Sequence, residues 1–212
     1  MCAKKIITLN IESTDLRLLV VHGKQIESWG NVSLEPGLAK EGLIVDVPAV
    51  SKAIGQVMSG LHVNGKKEVI TSLSGFQSVQ RLLNLPKLSA QLTGDALLRE
   101  ARRTMPVPLE QLYLSWQTLS DGDEAQRVFL LGIPRNLMDA EVQCLRQSGI
   151  TPRTMDLKPL ALARMVNRPE ALVVDVELES SDIIVISGGT PAIMRTLTMR
   201  SDYPLTKRVQ YL

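Results

Sequence analysis

With 212 residues, 44% of them hydrophobic and 22% charged, the chain can bury one substantial core or two small ones and lacks the composition of a disordered segment. Aromatic residues make up only 3%, so Leu, Val, Ile, Ala and Met must fill the interior, which suits sheets covered by helices and predicts an α/β protein. The net charge is only +2, and the longest basic clusters, Lys4-Lys5, Lys66-Lys67 and Arg102-Arg103, have no stacking aromatics beside them, which argues against a nucleic-acid partner.

Ile6 to Ile11 and Leu16 to Val21 are β-branched apolar runs separated by the polar turn Glu12-Ser13-Thr14-Asp15, and a turn at Gly23-Lys24 leads to a third run, Ile26 to Val32. This predicts a three-stranded meander. Asp46 caps a helix with Pro48 in its first turn, and Val47, Val50, Ile54, Val57, Met58 and Leu61 recur at helical spacing as far as Asn64-Gly65. Val69 to Leu73 reads as a strand and so does Phe76 to Leu85, which Pro86 ends. Asp95 to Arg103 reads as a helix broken at Met105-Pro106-Val107-Pro108.

Leu112 to Leu119 and Arg127 to Ile133 follow as strands joined by a polar turn over 120–124, and Leu137 to Gln147 is an amphipathic helix stopped at Gly149. Thr151 to Leu157 returns as a strand, and Leu160 to Val166 as a short helix. A second meander then runs through Leu172 to Val176, Ser181 to Ile186 and Ile193 to Met199, with Gly188-Gly189 as the turn between its last two strands. The segment Leu205 to Val209 begins another helical pattern.

Cys2 and Cys144 lie far apart with no CxxC pair and no nearby His, so neither a disulfide framework nor a zinc site is expected, and a reducing compartment is. No apolar run reaches the ~20 residues of a membrane span, and the N-terminus lacks a signal-peptide pattern, which together predict a cytoplasmic protein without direct membrane insertion. His22 and His62 stand beside turns with no triad partner at a suggestive spacing. No catalytic nucleophile and no metal ligand set stand out.

The two meanders resemble each other: Thr8-Leu9-Asn10-Ile11-Glu12 with Asp15 onward matches Val173-Val174-Asp175-Val176-Glu177 with Asp182 onward. An internally duplicated fold with both polar turns facing one crevice follows, with chance likeness of two hairpins as the alternative. At these residues the sequence is similar to the actin-like, ribonuclease H-like fold. Further along, Gly42-Leu43-Ile44-Val45-Asp46, Arg81-Leu82-Leu83-Asn84-Leu85-Pro86, Met105-Pro106-Val107-Pro108-Leu109-Glu110 before Tyr113-Leu114-Ser115-Trp116, and Asp156-Leu157-Lys158-Pro159-Leu160-Ala161-Leu162 resemble the PilM family of type IV pilus assembly proteins, relatives of the division protein FtsA.

The resemblance implies a first actin-like subdomain at residues 1–75 and 151–168. It implies an inserted strand-helix-strand-strand-helix (SHS2-like) subdomain at 76–150 and the start of a second actin-like subdomain at 169–212, with the fold continuing beyond the chain. It further implies a site for ATP and magnesium at the two hairpin turns, at Asn10, Ser13, Thr14, Arg17, Asp175, Ser180 and Ser181. Here Asn10 stands where the family has the metal-side Asp, and Glu12 and Glu177 stand where it has Gly, so the site is expected to be degenerate: two carboxylates would face a polyphosphate. The same side chains would equally serve turns and surface.

The resemblance also implies a membrane partner of PilN type, captured through its cytoplasmic N-terminal peptide, alongside other pilus components. Leu82, Leu83, Leu85, Met105 and Val107 are the candidate groove residues, and the core of the inserted subdomain is their alternative role. The expected function is a cytoplasmic scaffold of type IV pilus assembly or a related secretion machine, held at the inner face of the membrane through its partner. A homodimer over apolar surface left open by half a clamshell is expected as well. The rivals are an active actin-like ATPase and an FtsA-like protein that polymerises at the membrane.

Overall fold

A computed structural model describes residues 5–63, 68–87, 90–121 and 125–199. Cys2, the helix stop at Asn64-Gly65, Lys66-Lys67 and the pattern at Leu205 to Val209 lie outside them. The chain divides into two compact units, one of Met1–Phe76 with Asp139–Leu212 and one of Gln77–Met138.

In the first unit, β1 (Lys5–Ile11), β2 (Asp15–His22) and β3 (Gln25–Ser33) form the expected antiparallel meander. Gly23, at φ 65°, supplies the left-handed residue that its tight second turn requires. β6 (Val69–Leu73) lies parallel to β1, and β10 (Pro152–Leu157) lies parallel to β6, giving a sheet in the order β10-β6-β1-β2-β3. Side chains alternate along these strands, so Ile7, Leu9, Ile11, Leu16, Leu18 and Val20 all point into one core.

That core is closed by α1 (Val47–Gly60), whose Val50, Ala53, Ile54, Val57 and Met58 are buried. Asp46 accepts a hydrogen bond from the Ala49 N–H at 3.0 Å, and Pro48 sits in the first turn, as the spacing implied. Cys144 and Leu145 from the end of α3 (Arg135–Gln147), and Ile150 beyond it, complete the same cluster. Two short strands the sequence reading did not include, β4 (Ala39–Lys40) and β5 (Leu43–Ile44), pair across Glu41 and Gly42, both at positive φ.

After β10 comes α4 (Lys158–Val166), then a second meander of β11 (Ala171–Val176), β12 (Ser180–Ser187) and β13 (Thr190–Thr198) in that spatial order. Gly188 and Gly189 form its two-residue turn, both at positive φ. Ile184, Ile186 and Met194 are buried, and α4 touches all three strands. Gly75, after β6, marks a close approach: a Cβ there would lie 2.2 Å from Thr196 Oγ1 and 2.7 Å from a ring carbon of Pro159.

The second unit holds β7 (Val79–Pro86), α2 (Ala90–Thr104), a short 3-10 turn at Leu109–Gln111, β8 (Leu112–Asp121) and β9 (Ala125–Pro134), in a sheet ordered β7-β9-β8. With α3 following in the chain, the element order is the expected strand-helix-strand-strand-helix, although α3 from Asp139 onward falls in the first unit. The starts of β7 and α2 lie furthest from the sequence expectation. The strand expected from Phe76 starts at Val79, because Phe76 and Gln77 form a turn with Gln77 at φ 56°. The helix expected from Asp95 starts at Ala90 and runs through Gly94, beside which a Cβ would meet open space, so the glycine costs the helix only ~1 kcal/mol of intrinsic preference. Leu97 and Ala101 of that helix pack on Leu83, Leu85, Leu112, Val128 and Leu130.

Candidate functional site

The first unit brings the two hairpin turns together. In the β1–β2 turn, the Glu12 N–H donates to Asp15 O at 2.8 Å, and Thr14 O accepts from the Leu34 N–H at 2.8 Å. In the β11–β12 turn, the Glu177 N–H donates to Ser180 O at 2.9 Å, and Glu179 O accepts from the Met199 N–H at 2.8 Å. The strands pair alike as well, Asn10 opposite Arg17 and Asp175 opposite Asp182. The likeness seen in the sequence is thus a likeness of backbone hydrogen bonding, with the second strands two residues out of the expected match: Ser180 is the counterpart of Asp15, and Asp182 that of Arg17.

Between the turns lies Lys158, at the start of α4. Its Nζ is 2.9 Å from Glu12 Oε1, 2.9 Å from Asp175 Oδ2, 3.2 Å from Asp182 Oδ2 and 3.6 Å from Glu177 Oε1. The side chain is 11% exposed and that of Asp182 only 2%. Arg17 on β2 reaches the second hairpin directly, Nη1 and Nη2 donating to the two carboxylate oxygens of Glu177 at 2.6 Å each, while Nε and Nη2 donate to Asp15 Oδ2 at 3.1 and 3.0 Å. This is the fork geometry that makes Arg–carboxylate pairs strong.

Behind these groups, Asn10 Nδ2 donates to Glu12 Oε1 at 3.0 Å, Ser72 Oγ donates to Asn10 Oδ1 at 2.5 Å, and Thr196 Oγ1 donates to Asp182 Oδ1 at 2.5 Å. Asn10 and Arg17 also border a hollow of about 740 Å³ on the sheet face opposite α1, with Leu19, Trp29 and Ile70 along it. Deeper still, the fully buried Glu141 on α3 accepts from Thr71 Oγ1 at 2.5 Å.

Burial and partners set the ionisation. Burial raises the Glu12 carboxyl above its ordinary range, against the lowering pull of Lys158 and Asn10. Glu177 goes the other way: burial opposes its charge, but the Arg17 fork and Lys158 hold it below the ordinary range. Burial also works against a charged Lys158, yet Glu12, Asp182 and Asp175 hold it well above the usual lysine range. Glu177 raises Arg17 in turn. Glu141 is pushed up to about 7 by burial, with Thr71 resisting and Glu12 adding to the rise.

Of the residues the sequence singled out, Asn10, Arg17 and Asp175 join one network with Glu12 and Glu177. Ser13 and Thr14 sit half-buried in the first turn, and Ser180 and Ser181 are buried at the start of β12. Ser181 Oγ and Asp15 Oδ1 have no hydrogen-bond partner among the described residues. The candidate groove residues divide: Leu83, Leu85 and Met105 lie in the second unit's core and Leu82 is half-buried. Val107 is 37% exposed beside a hollow of about 470 Å³ bordered by Gln77, Glu110, Pro134 and Arg135. Arg135 stacks over the Tyr113 ring at 4.1 Å.

Lys158 and Asp182 were missed as site residues. The available signal was the place of Lys158: a cation in the first turn of a helix faces the positive end of the helix dipole, an unfavourable position unless carboxylates converge there.

The family profile described as type IV pilus assembly protein PilM matches residues 7–198. The chain belongs to the PilM family. Among solved structures, the chain is similar to a PilM-PilN type IV pilus biogenesis complex at 24% identity and a TM-score of 0.80, covering 94% of this chain and 63% of that one. It is also similar to the cytoplasmic domain of EpsL, an inner-membrane component of the Vibrio cholerae type II secretion system, at 14% identity and a TM-score of 0.61, covering 92% and 71%. The ethanolamine utilization protein EutJ of Carboxydothermus hydrogenoformans shares the fold at 14% identity and a TM-score of 0.57, covering 93% and 53%. No curated protein matches the chain. The fold is actin-like, and the chain spans 63% of the length of the PilM chain in the PilM-PilN complex.

Proposed function

We propose that this PilM-family protein works as a non-catalytic actin-like scaffold in type IV pilus assembly, taking the cytoplasmic N-terminal peptide of a PilN-type membrane protein as its partner. That tether would hold it at the inner face of the membrane, and no helix among the described residues is long and apolar enough to cross a membrane itself. The partner reading draws its support from the family and from the similar chain having been solved with PilN.

The observation that carries the non-catalytic part is that Glu12 and Glu177, at corresponding points of the two turns, are both engaged by the protein's own cations. An incoming polyphosphate would have to displace Lys158 or Arg17 and would then meet Glu12, Asp175, Glu177 and Asp182 as like charges. The residues present do not fit a magnesium nucleotide. Titration with ATP and magnesium is expected to show no tight binding, and micromolar binding with turnover would refute this part. Capture by an immobilised PilN-type N-terminal peptide tests the partner, and repeated failure with folded protein would remove it.

A further inference from the structure

Two sheets of the first unit, one of five strands and one of three, each present a hairpin turn built on the same backbone hydrogen bonds. Turns of this size are ordinarily independent of one another, since each closes on its own strands. Here each turn closes on its own backbone bonds but is also tied to the other by side-chain charges. The first gives Glu12 to Lys158 and, through the start of β2, Arg17 to Glu177; the second gives Asp175, Glu177 and Asp182 to Lys158. Lys158 belongs to neither hairpin, since it is carried by α4. The contact therefore has three contributors, and among the described residues the ammonium's carboxylate partners all come from one hairpin or the other.

We propose that Lys158 and the Arg17–Glu177 fork are a ligand-independent latch that makes the two hairpins open together or not at all.

The chemistry favours cooperation over a set of separate ion pairs. An ammonium has three protons to donate, and three carboxylates stand within 3.2 Å of it, with Glu177 at 3.6 Å sharing its other contact with Arg17. Withdrawing the second hairpin leaves the nearly buried Lys158 with one of its four carboxylates, and withdrawing the first takes Glu12 from Lys158 and Arg17 from Glu177. Breaking a buried charge cluster by removing one side costs more than the exposed pair would suggest, because the remaining charges are stranded. Arg17 extends the same linkage toward solvent, through a pair whose Glu177 side is shielded. The arrangement needs nothing from outside the chain.

The latch builds on the reading that the crevice is filled by the protein's own charges and not by nucleotide, and hydrogen exchange on the 212-residue chain separates the two. In Arg17→Glu, which sets a third carboxylate beside Asp15 and Glu177, exchange at the amides of Glu12 and Leu34 and at those of Glu177 and Met199 is expected to rise at least ~10-fold in both hairpins. Reversing the pair, Arg17→Glu with Glu177→Arg, should return both to within about 2-fold of the unaltered chain. Lys158→Met should loosen both hairpins while the amides of Ile54 and Val57 in α1, in the core of the same unit, keep their protection, which also shows that this unit is folded. A response confined to the hairpin that carries the substitution, or a reversed pair no better than Arg17→Glu alone, would overturn the latch. The same measurement on the unaltered chain with ATP and magnesium addresses the nucleotide reading alone: unchanged exchange supports it, and a shift at either turn refutes it without touching the comparison between variants.

Discussion

Glu12 and Glu177 occupy the same place in two hairpins with the same backbone bonds, yet burial drives the first carboxyl up while a guanidinium pulls the second down. Topology makes the two positions equivalent, but it does not make their chemistry equivalent. Glu12 is served by Lys158 and an amide, and it lies near the buried Glu141, whose own charge it opposes. Glu177 has a forked arginine on its open side. In a duplicated fold, it is the third residue each copy meets, and not the copy itself, that decides which carboxylate holds its charge.

The strongest way to break this comparison is to remove the group common to both. Lys158→Met is expected to lower unfolding free energy by about 3–5 kcal/mol in urea titration, because it strands buried carboxylates from both hairpins. A loss under about 1 kcal/mol would mean that the cluster is well hydrated.

Next comes the pH dependence around Glu141. Its folded pKa of about 7 stands above the free value of 4.5, so between these the folded state keeps a proton that the unfolded state has lost. Stability from this group is thus full at and below pH 4.5, declines as pH rises toward 7 and is flat above, a change of up to about 3 kcal/mol. Glu141→Gln should flatten that slope and stabilise the protein at pH 8. Glu12, also raised, contributes in the same direction, whereas Glu177, lowered, loses its contribution only as pH falls below the free value of 4.5. Thermal unfolding from pH 4 to 8 checks the sign.

A smaller difference sharpens the comparison most directly. Glu177→Gln gives up the charged fork and should cost about 1–2 kcal/mol at neutral pH, while Glu12→Gln relieves a buried charge and leaves Lys158 its other three carboxylates, so it should change stability by less than about 1 kcal/mol. Equal costs would show that the two positions are chemically alike after all. The smallest effect belongs to Arg17→Met: its guanidinium side is well exposed, so the expected loss is below about 1 kcal/mol and should shrink further in high salt.

Much of the fold was legible because its signals are local. The alternation Ile7, Leu9, Ile11 places a strand without reference to anything distant, and Gly188-Gly189 or Asp46 with Pro48 mark turn and helix start by their own backbone chemistry. The helix start at Ala90 was not legible, since Gly94 reads as a break unless one knows that nothing crowds it. The site was half legible. The pairing of Asn10 with Arg17 and of Asp175 with Asp182 follows from the hairpins, but the meeting of residues 12, 158, 175, 177 and 182 at one ammonium depends on the packing of α4 against a second sheet. Leu83 and Leu85 show the reverse problem: an apolar strand looks the same in sequence whether a helix of its own unit or a foreign peptide covers it, and here α2 does.

Gly75 limits how this arrangement can vary. With Thr196 and Pro159 so near the place where a first side-chain carbon would go, the main chain there behaves as a spacer of zero thickness between β13 and the start of α4. Even a methyl group would act as a wedge at the root of the lysine-bearing helix, moving the ammonium away from one set of carboxylates before any charge had been altered.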